Sequence, residues 1–366
     1  MPYHSDKMKQ NMHSQGNSDR YRPIWVWARR VFRFGVPLII LYLIITRIDF
    51  GILKSSFLGT KSYLFILGLL HAPVLILIAV YRWKLLLQQY LKKMVPAVFA
   101  FKHYWIGQAL GFFTPASLGL DAYRIMVGGK NLGSYPKNIL IILIEKILAL
   151  ITCMAIIVIL YPLVPKIMDH QVKKIVFAAY ILLTLSIPAI VLFAIAEKNK
   201  FMNVLLEKMV NYASATMRSI GNRMGLNGAA KEVKISLSMI TEPLASPKFL
   251  AVIALSLGIQ LVSSIKSQIY FISLGYDLPF IINLFVTPVI YFIFLLPISL
   301  GSIGIREGVY ILLYGLFGVP PEIALLVSFY NLMGILLNNA VGGMIILFNR
   351  PEINGREVMK DESSLS

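Results

Sequence analysis

The pattern Pro-x-Ser-Leu-Gly-x4-Arg occurs twice in this chain, as Pro115 to Arg124 and as Pro297 to Arg306, with an offset of 182 residues. Each copy inserts a helix breaker, a small residue, a glycine and then a permanent cation into an otherwise apolar stretch. A chain that does this twice is built as two related halves, and the breaks point at the working site. Downstream punctuation agrees: Gly133 to Pro136 and Gly318 to Pro321 each precede a long apolar run, now offset by 185, so one half carries a three-residue insertion.

The surrounding solvent follows from composition. The chain is 57% hydrophobic and 14% charged with a mean hydropathy of +0.73, against roughly 25% charged residues in soluble domains. Runs long enough to cross a bilayer core of roughly 30 Å lie near 63–81, 138–162, 175–196, 249–272 and 322–348. A shorter run, 34–46, sits between Arg33 and Arg47 and spans only with snorkelling or local thinning. It follows a basic tail as a signal peptide would, yet ends in Arg47-Ile48-Asp49 without a small-residue cleavage site, and so reads as a retained anchor. The single cysteine, Cys153, falls inside a predicted span and permits no intramolecular disulfide.

The net charge of +18 is placed beside the spans, where it sets topology and attracts anionic headgroups, so nucleic acid is not the expected partner. Simple alternation of spans puts the eight basic residues of 197–248 outside, against the positive-inside rule. If 98–127 and 280–318 instead enter and return on the same side, hinged at the repeated motif, 25 of the 35 Lys and Arg fall inside and 6 outside. Lys102, Lys146, Lys266 and Arg306 are then left at membrane depth.

The expected fold is therefore all-α and polytopic: about eight hydrophobic segments, six full spans plus two re-entrant half-helix hairpins, in inverted repeats with both termini cytoplasmic. Residues 1–33 form a basic tail, 34–348 the transmembrane domain and 349–366 a polar tail. The repeats cover 63–162 and 249–348, joined by a cytoplasmic segment, 197–248. Within it Phe201, Met202, Leu205, Met209 and Tyr212 recur at helical spacing, as in an interfacial helix or one packed on the spans. Broken helices at mid-membrane are tolerated where they line a cavity or are buried in protein, so the two hairpins are expected to meet at a shared site.

Arg124 and Arg306 lead the candidate binding residues, because a charge at bilayer depth costs at least about 2.5–3.5 kcal/mol and is usually paired or functional. Two facing guanidiniums suit a phosphate; the alternative pairs them internally with Asp121 and Glu307. Glu145 interrupts the run 138–162 and can reach Arg124 across the hairpin, whereas Lys146 points about 100° away from it. Ser117 and Ser299 stand in the motif, with Pro115, Gly119, Pro297, Gly301 and Gly304 as candidate hinges. Lys266, with Gln260, Ser263, Ser264, Ser267 and Gln268, forms a hydrophilic patch that fits a wet cavity wall or helix–helix hydrogen bonding. His71 and His103 are isolated, and neither a metal-ligand pattern nor a phosphate loop occurs, so no metal or cofactor is implied.

Several segments in order resemble the transmembrane region of the lysylphosphatidylglycerol synthase, or flippase-like, family. They are Arg82-Trp83-Lys84-Leu85-Leu86, the Pro115 to Arg124 segment with Asp121, Glu145-Lys146, Leu296 to Glu307, Gly318-Val319-Pro320 and Gly342-Gly343. The resemblance covers roughly 35–348, and Lys146 stands where the family more often has arginine. It implies a membrane domain that moves lipids such as aminoacylated phosphatidylglycerol between leaflets, with amino-acid transfer left to a separate soluble domain. The 18 residues after 348 leave no room for such a domain, so lysyl transfer is not expected.

The function expected is a translocase for an anionic or phosphate-bearing lipid, a phospholipid or polyprenyl-linked lipid, in a bacterial inner membrane, and not an enzyme. The alternatives are a non-transporting membrane partner of an enzyme building polyprenyl-linked lipids or glycolipids, and an enzyme acting on headgroups.

Overall fold

The computed structural model describes residues 39, 42–46, 48–112, 114, 117–166, 246–295 and 304–348. These residues are helical with no strand. The expected span 175–196, nearly all of 197–248, both tails, Pro115, Pro297, Ser299 and Gly301 lie outside the described residues.

A short helix, α1 (Phe50–Leu58), opens on Asp49, whose carboxylate accepts from the N–H groups of Gly51 and Ile52. Two sets of four helices follow. The first is α2 (Ser62–Leu91), α3 (Ala97–Phe112), α4 (Leu118–Asn131) and α5 (Tyr135–Leu160). The second is α6 (Pro247–Ser273), α7 (Phe280–Leu295), α8 (Ile305–Gly315) and α9 (Pro321–Phe348). A 3-10 turn, Tyr161–Lys166, extends α5. Among the described residues, four helices are long and apolar enough to cross a membrane: α2, α5 with its extension to Val164, α6 and α9. Their outer faces carry exposed Leu67, Leu70, Ile151, Leu257 and Leu336, as lipid contact requires.

The first expected span ended at residue 81 because hydropathy falls at Arg82 and Lys84. Helix α2 instead continues for another turn and more, to Leu91. The continuation is affordable because Arg82 is neutralised within the bundle rather than solvated outside it.

Both repeated motifs interrupt helices. The α3–α4 pair is antiparallel: Gly111 sits against Leu120, Gly107 against Leu120 and Tyr123, and the His103 ring shares a 2.9 Å hydrogen bond with Tyr123. A Cβ on Gly119 would lie 2.6 Å from the Leu110 carbonyl oxygen, so this glycine is a point of close backbone approach and not a loose hinge. In the second pair, the ends of α7 and α8 furthest from the break return to each other through Asn283 and Tyr314.

The packing has an exchange symmetry. Swapping α2, α3, α4 and α5 for α6, α7, α8 and α9 leaves the neighbour relations unchanged: α3 packs on α9 as α7 packs on α5, and α4 on α5 as α8 on α9. The central contact joins the two equivalent helices α2 and α6. They run antiparallel, since Lys61 N–H donates to the Ser273 carbonyl at one end, Gly68 faces Tyr270, and Arg82 reaches Ser256 further along. Gly133 and Gly318, at equivalent turns before α5 and α9, adopt φ of +81° and +75°, which an L side chain resists.

Each half has its own apolar core. One gathers around Trp83, Leu86, Leu87, Tyr104 and Ile141, the other around Tyr270, Phe271, Tyr314, Val327 and Tyr330. Polar residues are left along the seam between them.

Candidate functional site

Along that seam lies a two-lobed chamber, of about 300 Å³ in the first lobe and about 310 Å³ in the second. The lobes share Gln108, Ser117, Lys146, Ser263, Lys266 and Tyr291 in their walls. Their lining comes from both sets of helices, so neither half encloses the chamber alone.

The wall of the first lobe is an ion chain. Arg82 Nη2 donates to Glu145 Oε1 at 2.8 Å, and Arg124 Nη1 donates to Glu145 Oε2 at 2.9 Å. Arg124 Nη2 donates to Asp121 Oδ1 at 2.7 Å, and Lys146 Nζ lies 3.0 Å from Asp121 Oδ2. Arg82 Nη1 also donates to Ser256 Oγ at 3.2 Å, tying the chain to α6. Helix geometry explains the register: Asp121 and Arg124 are three apart on α4 and share a face, whereas Glu145 and Lys146, adjacent on α5, diverge to different partners. The Arg124 guanidinium lies 4.8 Å from the Tyr104 ring centroid and 5.4 Å from that of Trp83, a placement that compensates a desolvated cation. Arg124 is 1% exposed.

Three positive charges thus meet two negative ones in a network buried except at Lys146, whose side chain is 32% exposed. Removing one of its carboxylates leaves buried cations uncompensated and costs about 3–5 kcal/mol.

The second lobe is different. Lys146, Lys266 and Arg306 line it, and among the described residues no carboxylate does. Its remaining polar wall is neutral, with Gln260, Ser263, Ser267, Asn331 and Asn339. Glu307 does not line it: at the start of α8 its Oε2 accepts from the Gly304 N–H at 2.5 Å, and its charge acts on the neighbouring Arg306. Gly304 itself sits at φ +83°. Behind this wall, Gln268 donates to the Leu278 carbonyl at 2.8 Å, Asn283 to Gln268 at 2.6 Å and Tyr314 to Asn283 at 2.7 Å.

The expectation that Arg124 and Arg306 face one another around a phosphate needs correction. Arg124 lines the first lobe, Arg306 the second, and neither lobe is lined by both. Both terminal nitrogens of Arg124 are already held by carboxylates. The cations common to the lobes are Lys146 and Lys266, of which Lys266 had been recognised only as part of a hydrophilic patch. The Glu145–Arg124 contact expected across the hairpin is present. Ser117 lines both lobes. Sequence reasoning placed Arg82 outside the membrane and so left it and the Tyr104 ring out of the site. Nothing in the sequence signalled Arg82's place there, which follows from Glu145 taking Arg124 on one oxygen and Arg82 on the other.

The described residues hold no cluster of three or more His, Cys, Asp and Glu side chains able to bind a metal.

The described residues form a helical membrane protein with a polar chamber between two sets of helices, and its family places it among membrane proteins of lipid metabolism or transport. The sequence profile of the lysylphosphatidylglycerol synthase TM region matches residues 30–333, and this chain belongs to that family. No curated protein and no solved structure matches the chain.

Proposed function

We propose that this protein is a lipid translocase that moves an anionic or phosphate-bearing lipid between the leaflets of a bacterial inner membrane, and that it catalyses no covalent reaction. The observation that carries this reading is the second lobe, where three cations converge on one sheltered cavity without a carboxylate in its described wall. Lys146 is offset by Asp121, but Lys266 has no ion pair among the described residues, and a cation in that position is costly unless an anion enters the cavity. A phosphate with its diffuse charge is a suitable counter-ion for Lys266 and Arg306.

Alternating access follows from the same architecture. The exchange symmetry, together with the antiparallel run of the equivalent helices α2 and α6, supports inverted repeats related by an axis in the membrane plane. The α3–α4 and α7–α8 pairs act as re-entrant hairpins, one from each face, with 34–46 and 175–196 completing six spans and both termini inside. Rocking of one set of helices against the other exposes the chamber to each leaflet in turn, with the motif breaks at Pro115 and Pro297 absorbing the change.

The test uses purified full-length protein in proteoliposomes with a fluorescent phospholipid whose accessibility to an external quencher reports leaflet exchange. Lys266→Gln and Arg306→Gln are expected to slow exchange at least about tenfold while the protein still inserts as a monodisperse species. Exchange by the unaltered protein no faster than in empty vesicles refutes the translocase. Copurification with a lipid-building enzyme, in that event, identifies it as a membrane partner instead.

A further inference from the structure

We propose that the phosphate of the lipid is held at the neck between the two lobes, by Lys266 and the Tyr291 hydroxyl with Gln108, Ser117 and Ser263, and that the ligand is a phosphodiester whose two ester arms enter different lobes. This rests on the reading that an anionic lipid enters the chamber, and adds where its phosphate sits and what flanks it.

Six side chains line both lobes and so stand at their boundary. One of them, Lys146, is ion-paired to Asp121. The other five, Gln108, Ser117, Ser263, Lys266 and Tyr291, make no side-chain hydrogen bond or ion pair with a described residue. Further round the chamber, polar groups are turned to the protein itself: Gln260 donates to Cys153 Sγ at 3.1 Å, Asn331 to the Val327 carbonyl at 3.0 Å and Asn338 to the Ala72 carbonyl at 3.1 Å. Ser117, at the N-cap of α4, even leaves its hydroxyl out of the cap, and Thr114 Oγ1 accepts from the Gly119 N–H at 2.7 Å in its place. The unused groups are donors in the main: an ammonium, a phenol, two hydroxyls and an amide. Inside a membrane protein such groups are costly unless water or a ligand meets them, and donors grouped around a cation suit an oxyanion.

The two arms follow from what lies on either side of the neck. Toward the first lobe, α2 presents Ala72, Leu75, Ile76 and Ala79, an apolar strip on which a chain-bearing arm can lie. Toward the second, the wall is polar, and both side-chain amide atoms of Asn339 are buried without a hydrogen bond among the described residues, open to a polar headgroup arm. The lobes, of about 300 and 310 Å³, each stand at the lower end of ligand-pocket sizes, so each admits one arm and not a whole lipid. A phosphomonoester has one arm and leaves a lobe to water, whereas a phosphodiester fills both.

The test is a ligand titration of the purified full-length protein in detergent, in which the affinity for each probe is read from the rise it causes in the thermal midpoint. The probes are dihexanoyl phosphatidylglycerol, a diester; dihexanoyl phosphatidic acid, the monoester on the same chains; and inorganic phosphate, which has no arm. A site that read charge alone would favour the monoester, which carries about −1.5 to −2 at neutral pH. The diester is expected to bind about tenfold tighter than either of the others. Tyr291→Phe deletes a hydroxyl on which no described residue depends, so the midpoint without ligand should stay where it is while diester binding weakens about tenfold. Lys266→Gln should weaken it at least as much. A diester that does not bind, or binds no tighter than phosphatidic acid or inorganic phosphate, overturns the proposal. So does a Tyr291→Phe protein that binds the diester as the unaltered one does, or whose midpoint without ligand falls, since the hydroxyl then serves the fold. Leaflet exchange of a fluorescent phosphatidylglycerol separates this site from the translocase. Binding that depends on Tyr291 without exchange removes the translocase and keeps the site, whereas exchange that Tyr291→Phe leaves at its original rate keeps the translocase and removes the site.

Discussion

The two halves have the same helices in the same neighbour relations, yet they stabilise the seam between them with different chemistry. The first half spends its charges on itself: Arg82, Asp121, Arg124, Glu145 and Lys146 form one chain of ion pairs. The second half holds its helices with neutral groups, Gln268, Asn283 and Tyr314, and turns Lys266 and Arg306 toward the cavity. The difference separates two uses of a charge in a membrane. Where a cation is matched by carboxylates it fixes a fold; Lys266, with no ion pair among the described residues, is the charge that the proposed function assigns to an anion.

The sharpest way to break this contrast is Glu145→Ala. It leaves Arg82 and Arg124 each short of an acceptor, and stability should fall by about 3–5 kcal/mol, seen as a large drop in the thermal midpoint in detergent. An unchanged midpoint would mean that the first half's ion chain is not structural. Next comes Asn283→Leu, which removes the partner shared by Gln268 and Tyr314 and should cost about 1–3 kcal/mol in the same thermal measurement. Tyr104→Leu removes one of the two rings over Arg124. The lost cation–π contact should cost about 0.5–2 kcal/mol, whereas Tyr104→Phe keeps the ring and should cost less. Smallest in stability is Lys266→Gln, expected within about 0.5 kcal/mol of the unaltered protein because no carboxylate depends on it, even as anion binding falls. A destabilisation like that of Glu145→Ala would place Lys266 in the structural class and dissolve the contrast.

Much of this was legible in the residues. The four long spans of the described residues followed from apolar runs. Glu145 was correctly matched to Arg124, because a carboxylate in a span has to find a cation. Arg82 was misplaced, since hydropathy cannot tell a cation that leaves the membrane from one that stays and is neutralised. The repeat also suggested that its two arginines do the same job. Their surroundings differ, because Asp121 at its position in the first motif has Ile303 as its counterpart in the second, and α9 has no acid where α5 carries Glu145.

By itself the sequence determined that this chain lives in a bilayer, that it is helical there and that it is built twice. Those properties follow from transfer of side chains and backbone into lipid, which each segment experiences locally. Only the tertiary structure decided which charges cancel and which remain, because an ion pair depends on a few ångströms between helices far apart in the chain. That same geometry set Arg124 between two carboxylates and left Lys266 in the cavity wall with no ion pair among the described residues.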